Sequence, residues 1–145
     1  MKPSSPEGLL DTLTLILLGR LSPSAPLPAE AFISAITLAE LSVGPLVAST
    51  DEVRAARQAR LQQAEADFEP IPFEPIPFDA SAARAFGRVA ASLRSPGQKP
   101  AARVYDALIA ATAIANALPL YTCNPCDLED IGELVVIEVP HPDRG

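Results

Sequence analysis

Short apolar segments of strand type alternate along this chain with longer segments of helical period. The strand-type segments are residues 8–10, 32–36, 118–122 and 134–139. The helical segments are residues 37–43, 51–67, 80–93 and 107–117, while residues 13–18 suit a helix or a continued apolar element. Strands that alternate with helices are typical of βαβ units. The sequence therefore predicts an α/β fold with three layers, α/β/α, in which helices flank a mainly parallel central sheet.

Polar and proline residues mark where several of these elements begin or end. Thr50 or Asp51 is expected to cap one long helix, and Asp79 is expected to cap the next. Gly44-Pro45 is expected to interrupt the helix over residues 37–43. Loops are expected at residues 22–28 and 95–100.

The segment Phe68–Phe78 reads FEPIPFEPIPF, in which one pentapeptide is repeated in tandem. Proline cannot donate a backbone hydrogen bond, so prolines at every second or third position exclude a central strand. We interpret the repeat as a local duplication that lengthens a loop before an edge strand. A proline-rich peptide ligand is the alternative.

Length and charge limit the classes of protein that this chain can belong to. Its 145 residues suit a single domain over residues 1–145, with flexible ends at 1–7 and 140–145. The net charge is −7, whereas proteins that hold nucleic acid by bulk electrostatics are usually basic. The charge therefore argues against such a partner, unless several carboxylates converge on a cation that reverses the local field.

The sequence predicts a cytoplasmic protein without a membrane partner. Met1–Pro6 is polar and proline-rich, which is unlike a secretory signal. The apolar stretch Leu9–Leu18 contains an aspartate and is too short to cross a bilayer. Two cysteines in a chain without a secretion signal are typical of a reducing compartment.

Four acidic residues are the candidate functional groups, and two of them lie near the start of the chain. Asp11 directly follows an apolar strand, where open α/β sheets bind ligands, although a helix cap or a turn would also explain it. Glu40 shares an apolar helix ridge with Ile36, Val43 and Val47. A carboxylate there is costly to desolvate unless a cation or a donor receives it. A solvated helix edge is the alternative.

The other two candidates lie in the second half of the chain. Asp106 is expected at the amino end of a helix, where the helix dipole favours an anion and capping is a sufficient explanation. Asp127 follows a strand and a turn that contains Asn124-Pro125, and a turn carboxylate needs no function. Strand ends and helix starts of an α/β sheet lie at one rim, so we predict that the four acids meet there.

Both cysteines lie in one C-x-x-C motif, Cys123-Asn124-Pro125-Cys126. A redox motif needs a stabilised thiolate, but the acids that follow the motif would raise the pKa of its thiols. A tetrahedral zinc site needs two more soft or imidazole ligands, and the only histidine, His141, lies between prolines in the tail. We interpret the thiols as bystanders in a turn that carries an acid.

Four sequence blocks occur in a characteristic order between about Gly8 and Val139. They are LLDT at residues 9–12, ISAITLAEL at 33–41, DALIAATA at 106–113 and LPLYTCNPCD at 118–127. In this order and spacing the chain resembles the PIN-domain ribonucleases, and among them most closely the VapC toxins of VapBC toxin–antitoxin pairs.

The resemblance implies a PIN-like fold with an acidic pocket that holds Mg²⁺ or Mn²⁺. It also implies an endoribonuclease toxin that cleaves tRNA or rRNA, forms a homodimer and is inhibited by a cognate VapB-type antitoxin. By motif position, the catalytic and metal-binding acids of the family fall on Asp11, Glu40, Asp106 and Asp127, with Thr12, Thr122 and Asn124 as supporting polar groups.

Three positions and the doubled FEPIP depart from the family pattern, and one of the three is Leu128, which stands where members often carry a core aromatic. Leu13 stands where members often carry Ser or Asn, and Cys123 replaces a basic residue that could touch RNA phosphate. These departures keep open the alternative of a catalytically weak or inactive PIN-like protein that acts by binding antitoxin or RNA. Arg54, Arg57 and Arg60, at roughly helical spacing, could contact phosphate or pair with nearby acids.

Overall fold

The computed structural model describes residues 6–70, 73–92, 100–128 and 130–143. Its centre is a sheet of four strands in the order β2-β1-β3-β4, and every neighbouring pair is parallel. The strands are β1 (Glu7–Leu10), β2 (Glu30–Phe32), β3 (Leu120–Thr122) and β4 (Val136–Glu138). The predicted parallel sheet is confirmed.

Helices account for most of the remaining described residues. They are α1 (Thr12–Leu17), α2 (Ala35–Leu46), α3 (Asp51–Phe68), α4 (Ala80–Ser92) and α5 (Pro100–Ala115). Short 3-10 helices follow α1 and β3, at Leu18–Arg20 and Pro125–Leu128. Residues 95–99 of the loop predicted at 95–100 and the predicted helix end at Leu93 lie outside the described residues. No helix of the described chain is long and apolar enough to span a membrane.

Neighbouring residues of the central strands belong to two separate hydrophobic cores. Leu9 and Leu120 pack in one core with buried residues of α4 and α5. Leu10 and Tyr121 pack in the other core with Leu17 of α1. Because successive side chains of a strand point to opposite faces, helices cover both faces of the sheet. The three-layer arrangement predicted from the alternating pattern is therefore confirmed.

Two helix starts lie where the sequence predicts them. The Thr50 hydroxyl accepts a hydrogen bond from the backbone N–H of Val53 at 3.1 Å, and α3 begins at the next residue. Asp79 Oδ1 accepts from the backbone N–H of Ala82 at 3.0 Å, so it caps α4. Each cap satisfies a backbone donor that a first helical turn leaves unpaired.

The predicted extent of the second strand is wrong, because β2 ends at Phe32 and α2 begins at Ala35. Ser34 caps this helix by accepting a hydrogen bond from the backbone N–H of Thr37 at 3.1 Å. The cap sets the end of the extended backbone, although Ile33 and Ile36 are β-branched residues that favour strands.

The predicted interruption of α2 at Gly44-Pro45 is also wrong, because the helix continues to Leu46. Pro45 lies in the last turn of the helix and is buried. A proline removes one backbone donor, here the one that would bond to the carbonyl of Leu41, yet the helix continues past it. Packing of the proline ring therefore outweighs the lost hydrogen bond.

The helix that carries Asp106 begins earlier than predicted, at Pro100. Proline suits the first turn of a helix because its fixed φ matches the helix and its missing N–H would be unpaired there anyway. Asp106 consequently lies in the second turn of α5, and its predicted place at the amino end of the helix is wrong.

The second copy of the repeated pentapeptide contacts the edge of the sheet. Ile76 donates its N–H to Ile33 O at 2.9 Å, and its carbonyl accepts from Ala35 N at 2.8 Å. These bonds form an isolated parallel bridge beside the end of β2. The segment reaches the edge of the sheet as a loop, but its described residues form one bridge and not the predicted edge strand before α4 begins. Residues 71–72 lie outside the described residues.

Candidate active site

The carboxyl ends of the two central strands bring the first candidate acid beside the third strand. Leu10 of β1 pairs with Tyr121 of β3, so the residues that follow them are neighbours across the sheet. The backbone N–H of Asp11 donates to the carbonyl of Tyr121 at 3.3 Å. Asp11 and Thr122 therefore lie side by side at the rim where parallel sheets bind ligands.

Asp11 is a helix cap and a rim carboxylate at the same time. Its Oδ1 accepts a hydrogen bond from the backbone N–H of Thr14 at 2.9 Å and starts α1. The residue is only 8% exposed, and its Oδ2 makes no hydrogen bond to the described residues. The two explanations that the sequence left open are thus compatible, because one oxygen caps the helix and the other can receive a cation.

A chain of hydroxyls joins α1 to the second candidate acid. Thr12 Oγ1 donates to Glu40 Oε1 at 2.6 Å and lies 3.0 Å from Thr37 Oγ1. A hydroxyl has one proton, so the Thr37 hydroxyl donates to Thr12 while Thr12 donates to Glu40. The buried Thr37 therefore fixes Thr12, and Thr12 fixes one oxygen of the Glu40 carboxylate.

The Glu40 carboxyl has a perturbed proton affinity. Burial raises its pKa above the ordinary value of 4.5, the hydrogen bond from Thr12 lowers it in part, and the nearby negative charge of Asp11 raises it further. The effect of Asp11 shows that the two carboxylates share one electrostatic environment. A bound cation would relieve both the desolvation and the repulsion.

The raised pKa predicts how Glu40 affects stability in the absence of metal. A folded-state pKa above 4.5 means that the folded protein holds this proton more tightly than the unfolded chain does. The resulting stabilisation is complete below pH 4.5 and is lost as the pH rises through the raised pKa. In chelator, wild type should therefore lose stability relative to Glu40→Gln across this interval, as measured by urea unfolding at a series of pH values. If wild type instead gained stability relative to Glu40→Gln as the pH rises, the raised pKa of Glu40 would be contradicted.

The supporting residues of β3 are held at the same rim. Thr122 is fully buried, and its Oγ1 accepts a hydrogen bond from Asn124 N at 3.0 Å. Thr14 Oγ1 accepts from Cys123 N at 3.1 Å and donates to Cys123 Sγ at 3.7 Å. The two hydrogen bonds between Thr14 and Cys123 tie α1 to the end of β3. The bond from Asn124 holds the turn that follows this strand.

Cys123 is 4% exposed and belongs to the hydrophobic core below the rim. Burial raises the pKa of its thiol, the hydrogen bond from Thr14 opposes this, and the charge of Asp11 adds to the rise. A raised pKa disfavours the thiolate that redox or metal chemistry needs. The exposed Cys126 is also a free thiol.

The other two candidate acids come from α5 and from the turn after β3. Asp106 is half-buried, next to Ala107, which lies in the core together with residues of α4 and β3. The backbone of Asp127 lies in the 3-10 helix at Pro125–Leu128, while its side chain lies outside the described structure. Convergence of all four acids therefore stays a prediction.

The described donors suit a hard divalent cation. Asp11 Oδ2 and Glu40 Oε2 are carboxylate oxygens that make no hydrogen bond to the described residues, and oxygen ligands are the type that Mg²⁺ prefers. Among the described side chains, which exclude that of Asp127, no three His, Cys, Asp or Glu residues are grouped closely enough to hold a metal ion. Mg²⁺ commonly keeps several waters and takes one or two protein carboxylates plus substrate phosphate. The donor set therefore fits an ion of this kind.

The three candidate arginines of α3 have different environments. Arg54 forms an ion pair with Asp51 at 2.6 Å, which is the predicted alternative of pairing with a nearby acid. Arg57 and Arg60 instead line a cavity of about 250 Å³ that also contains Thr12 and Glu40. Basic groups therefore lie beside the acidic rim.

Sequence reasoning did not identify the two buried threonines that position the rim. Thr37 lies three residues before Glu40 on α2, and Thr14 lies three residues after Asp11. On a helix, residues three apart share a face. This spacing was the available signal, but the contacts across α1, α2 and β3 depend on the tertiary fold.

Two sequence comparisons agree on one family. A model of the PIN domain matches residues 15–133. Ribonuclease VapC5 of Mycobacterium tuberculosis is 37% identical over 124 residues, which make up 84% of this chain and 86% of that protein. The range matched by the PIN-domain model includes Glu40, Asp106 and Asp127.

Solved structures show the same architecture. VapBC-5 of Mycobacterium tuberculosis, a member of the VapBC family of toxin–antitoxin systems, matches with a TM-score of 0.73 at 32% identity, over 92% of this chain and 99% of that chain. VapBC2 of Rickettsia felis, solved with a DNA fragment from its promoter, matches with a TM-score of 0.65 at 23% identity, over 91% and 98% of the two chains. At the lower identity the match concerns the fold alone.

Proposed function

The chain belongs to the PIN-domain family, in its VapC branch, and from this premise we propose that it is the toxin of a VapBC-type pair. Its activity would be the Mg²⁺- or Mn²⁺-dependent hydrolysis of RNA phosphodiester bonds, with tRNA or rRNA as the substrate. The observation that carries the proposal is the buried Asp11 carboxylate beside Glu40, whose proton affinity it perturbs. Two carboxylates in one partly desolvated environment are costly unless a cation binds them.

We assign the acids as follows. Asp11 and Asp106 would bind the ion most directly, and Glu40 and Asp127 would complete the pocket or bind a second ion. A divalent ion in such a site supplies an activated water and neutralises charge on the phosphate. The helix cap at Asp11 and the hydrogen bond from Thr12 to Glu40 would hold these two carboxylates in place for the ion.

Thr12 and Thr37 act as positioning residues in this mechanism. The Thr12 hydroxyl occupies Glu40 Oε1 at 2.6 Å and leaves Oε2 for a ligand. Outer hydrogen bonds of this kind orient metal-binding groups, and their loss typically costs about 10–100-fold in metal affinity or activity. Thr122 and Asn124 hold the end of β3, from which the turn with Asp127 follows.

The proposed partners follow from the family and from the relatives. The solved relative VapBC-5 is a member of a toxin–antitoxin family, which supports a VapB-type antitoxin as the inhibitor of this chain. We also propose a homodimer and action in the cytoplasm, where RNA substrates are present and both free cysteines stay reduced.

Incubation of the purified protein with total RNA tests the proposal. We expect cleavage when Mn²⁺ or Mg²⁺ is added and none in the presence of excess chelator. Tight binding of an antitoxin without metal-dependent cleavage would instead favour the inactive PIN-like alternative. Mapping the 5′ ends of fragments after induced expression would identify the RNA and the cleavage site.

Substitution of the exposed cysteine separates the nuclease from a thiol enzyme. Cys126→Ser removes a free thiol that is exposed, and we expect the initial rate of metal-dependent RNA cleavage to remain within about twofold of wild type, because surface substitutions rarely change the fold. Alkylation of the wild-type protein should likewise leave the rate unchanged. A large loss of activity in either experiment would mean that a thiol takes part in catalysis.

A further inference from the structure

A cavity of about 250 Å³ opens beside Glu40, at the junction of α1, α2 and α3. A water occupies about 30 Å³ in the liquid, so the cavity has room for a phosphodiester group. Its lining residues are Thr12, Ile16, Glu40, Leu41, Gly44, Arg57 and Arg60. One side of the cavity is thus part of the candidate active site, and the other side is basic.

Arg57 is held in place by the neighbouring helix. Its Nη1 donates to the carbonyl of Gly44 at 2.9 Å. A Cβ at position 44 would lie only 3.3 Å from Arg57 Cδ, so glycine lets the arginine stem lie close against α2. The guanidinium is therefore oriented before any ligand arrives, and its remaining N–H groups are available to an anion.

Arg57 and Arg60 differ from the paired arginines of the described chain. Arg20, Arg54 and Arg88 each form an ion pair with a carboxylate. Within the described residues, Arg57, Arg60 and Arg84 form no such pair, and of these three only Arg57 and Arg60 line the cavity beside Glu40. In a chain with a net charge of −7, two guanidinium groups that share one cavity and form no ion pair to the described residues are available to an anionic ligand.

We propose that Arg57 and Arg60 form a clamp for an RNA backbone phosphate next to the bond that is cut. Guanidinium groups bind phosphate through two parallel hydrogen bonds, and the clamp lies beside the Glu40 carboxylate in the same cavity. It allows an acidic protein to hold a polyanion locally. The clamp rests on the proposed ribonuclease function and adds positioning residues to it.

The salt dependence of RNA binding tests the clamp. In chelator, binding of a labelled single-stranded RNA of mixed sequence is measured by fluorescence anisotropy at several salt concentrations. For single strands the slope of log K against log salt changes by about 0.7 for each phosphate contact. We expect Arg60→Gln to weaken binding and to reduce the slope by about this amount. In cleavage assays with Mn²⁺, the same variant should raise KM more than it lowers kcat.

Matched variants separate the clamp from general charge and from folding. Arg54→Gln removes the same charge at an exposed, ion-paired position earlier on α3 and should retain the wild-type slope. Arg60→Lys keeps the charge and should restore the slope in large part. Arg57→Gln also removes the bond to Gly44, whereas Arg60 makes no hydrogen bond or ion pair to the described residues, so the Arg60 variants test the clamp without that contact.

Each outcome supports or overturns the clamp. Wild-type slopes for both Arg57→Gln and Arg60→Gln, in a protein that still cleaves RNA with Mn²⁺, would overturn the clamp and leave the proposed function intact. Failure of the wild-type protein to bind or cleave RNA would overturn both. Unchanged RNA binding together with weakened binding of the antitoxin would assign these arginines to a protein interface instead.

Discussion

Asp11→Asn should reduce metal-dependent RNA cleavage by at least about 100-fold, since loss of a residue that merely orients a metal ligand already costs about 10–100-fold. The substitution removes the charge but keeps an oxygen that can accept the hydrogen bond from Thr14 N, which Asp11 Oδ1 accepts at 2.9 Å. Asparagine is as good a helix cap as aspartate. Activity should therefore fall while the melting temperature stays nearly constant, and expression of the variant should no longer arrest growth.

Asp11→Ala provides the comparison for this prediction. It removes both the charge and the cap, so it should lose activity to the same extent and in addition cost about 1 kcal/mol of stability. Initial rates with saturating Mn²⁺ and thermal unfolding curves distinguish the two variants. Cleavage by Asp11→Asn at the wild-type rate would show that this carboxylate does not serve the metal site.

Glu40→Gln should lower metal-dependent cleavage by about 10–100-fold or more without destabilising the metal-free protein at neutral pH. Glutamine can still accept the hydrogen bond that Glu40 Oε1 accepts from Thr12 at 2.6 Å. The substitution also removes a partly buried charge that Asp11 repels. The wild-type Glu40 is therefore expected to reduce the stability of the metal-free protein and to support RNA cleavage when metal is present.

Mn²⁺ titrations monitored by unfolding temperature test this opposition. Wild type should be stabilised by the ion, because a ligand that binds only the folded state raises stability, and Glu40→Gln should be stabilised much less. Glu74→Gln removes the same charge from an exposed position and should behave like wild type. Equal stabilisation of all three proteins would remove Glu40 from the metal site.

The architecture followed from the sequence because hydrophobic period and chain order are local properties. Strand-type segments separated by long helices can bury their apolar faces in few ways, and the parallel sheet with helices on both faces is one of them. The ends of the helices and strands are harder to predict from the sequence. Ile33 and Ile36 favour a strand by composition, but the Ser34 cap begins a helix there. Pro100 was interpreted as the end of a loop, although it begins α5.

The candidate acids were found by their position after strands and on an apolar ridge, which requires no knowledge of distant contacts. The residues that orient them were not found, because their partners lie far along the chain. Thr12 meets Thr37 and Glu40 only when α1 packs beside α2. The different environments of Arg54 and Arg57 likewise depend on the approach of α3 to Gly44, which helical spacing alone does not reveal.

The rim joins residues that are far apart in the sequence, and this limits when the candidate site can form during synthesis. The hydrogen bond between Thr14 and Cys123 spans 109 residues, and β1 can pair with β3 only after both have left the ribosome. At about 5–20 residues per second, translation of that interval takes about 5–22 s. A nascent chain therefore carries Asp11 throughout that interval without the strand that completes the candidate site.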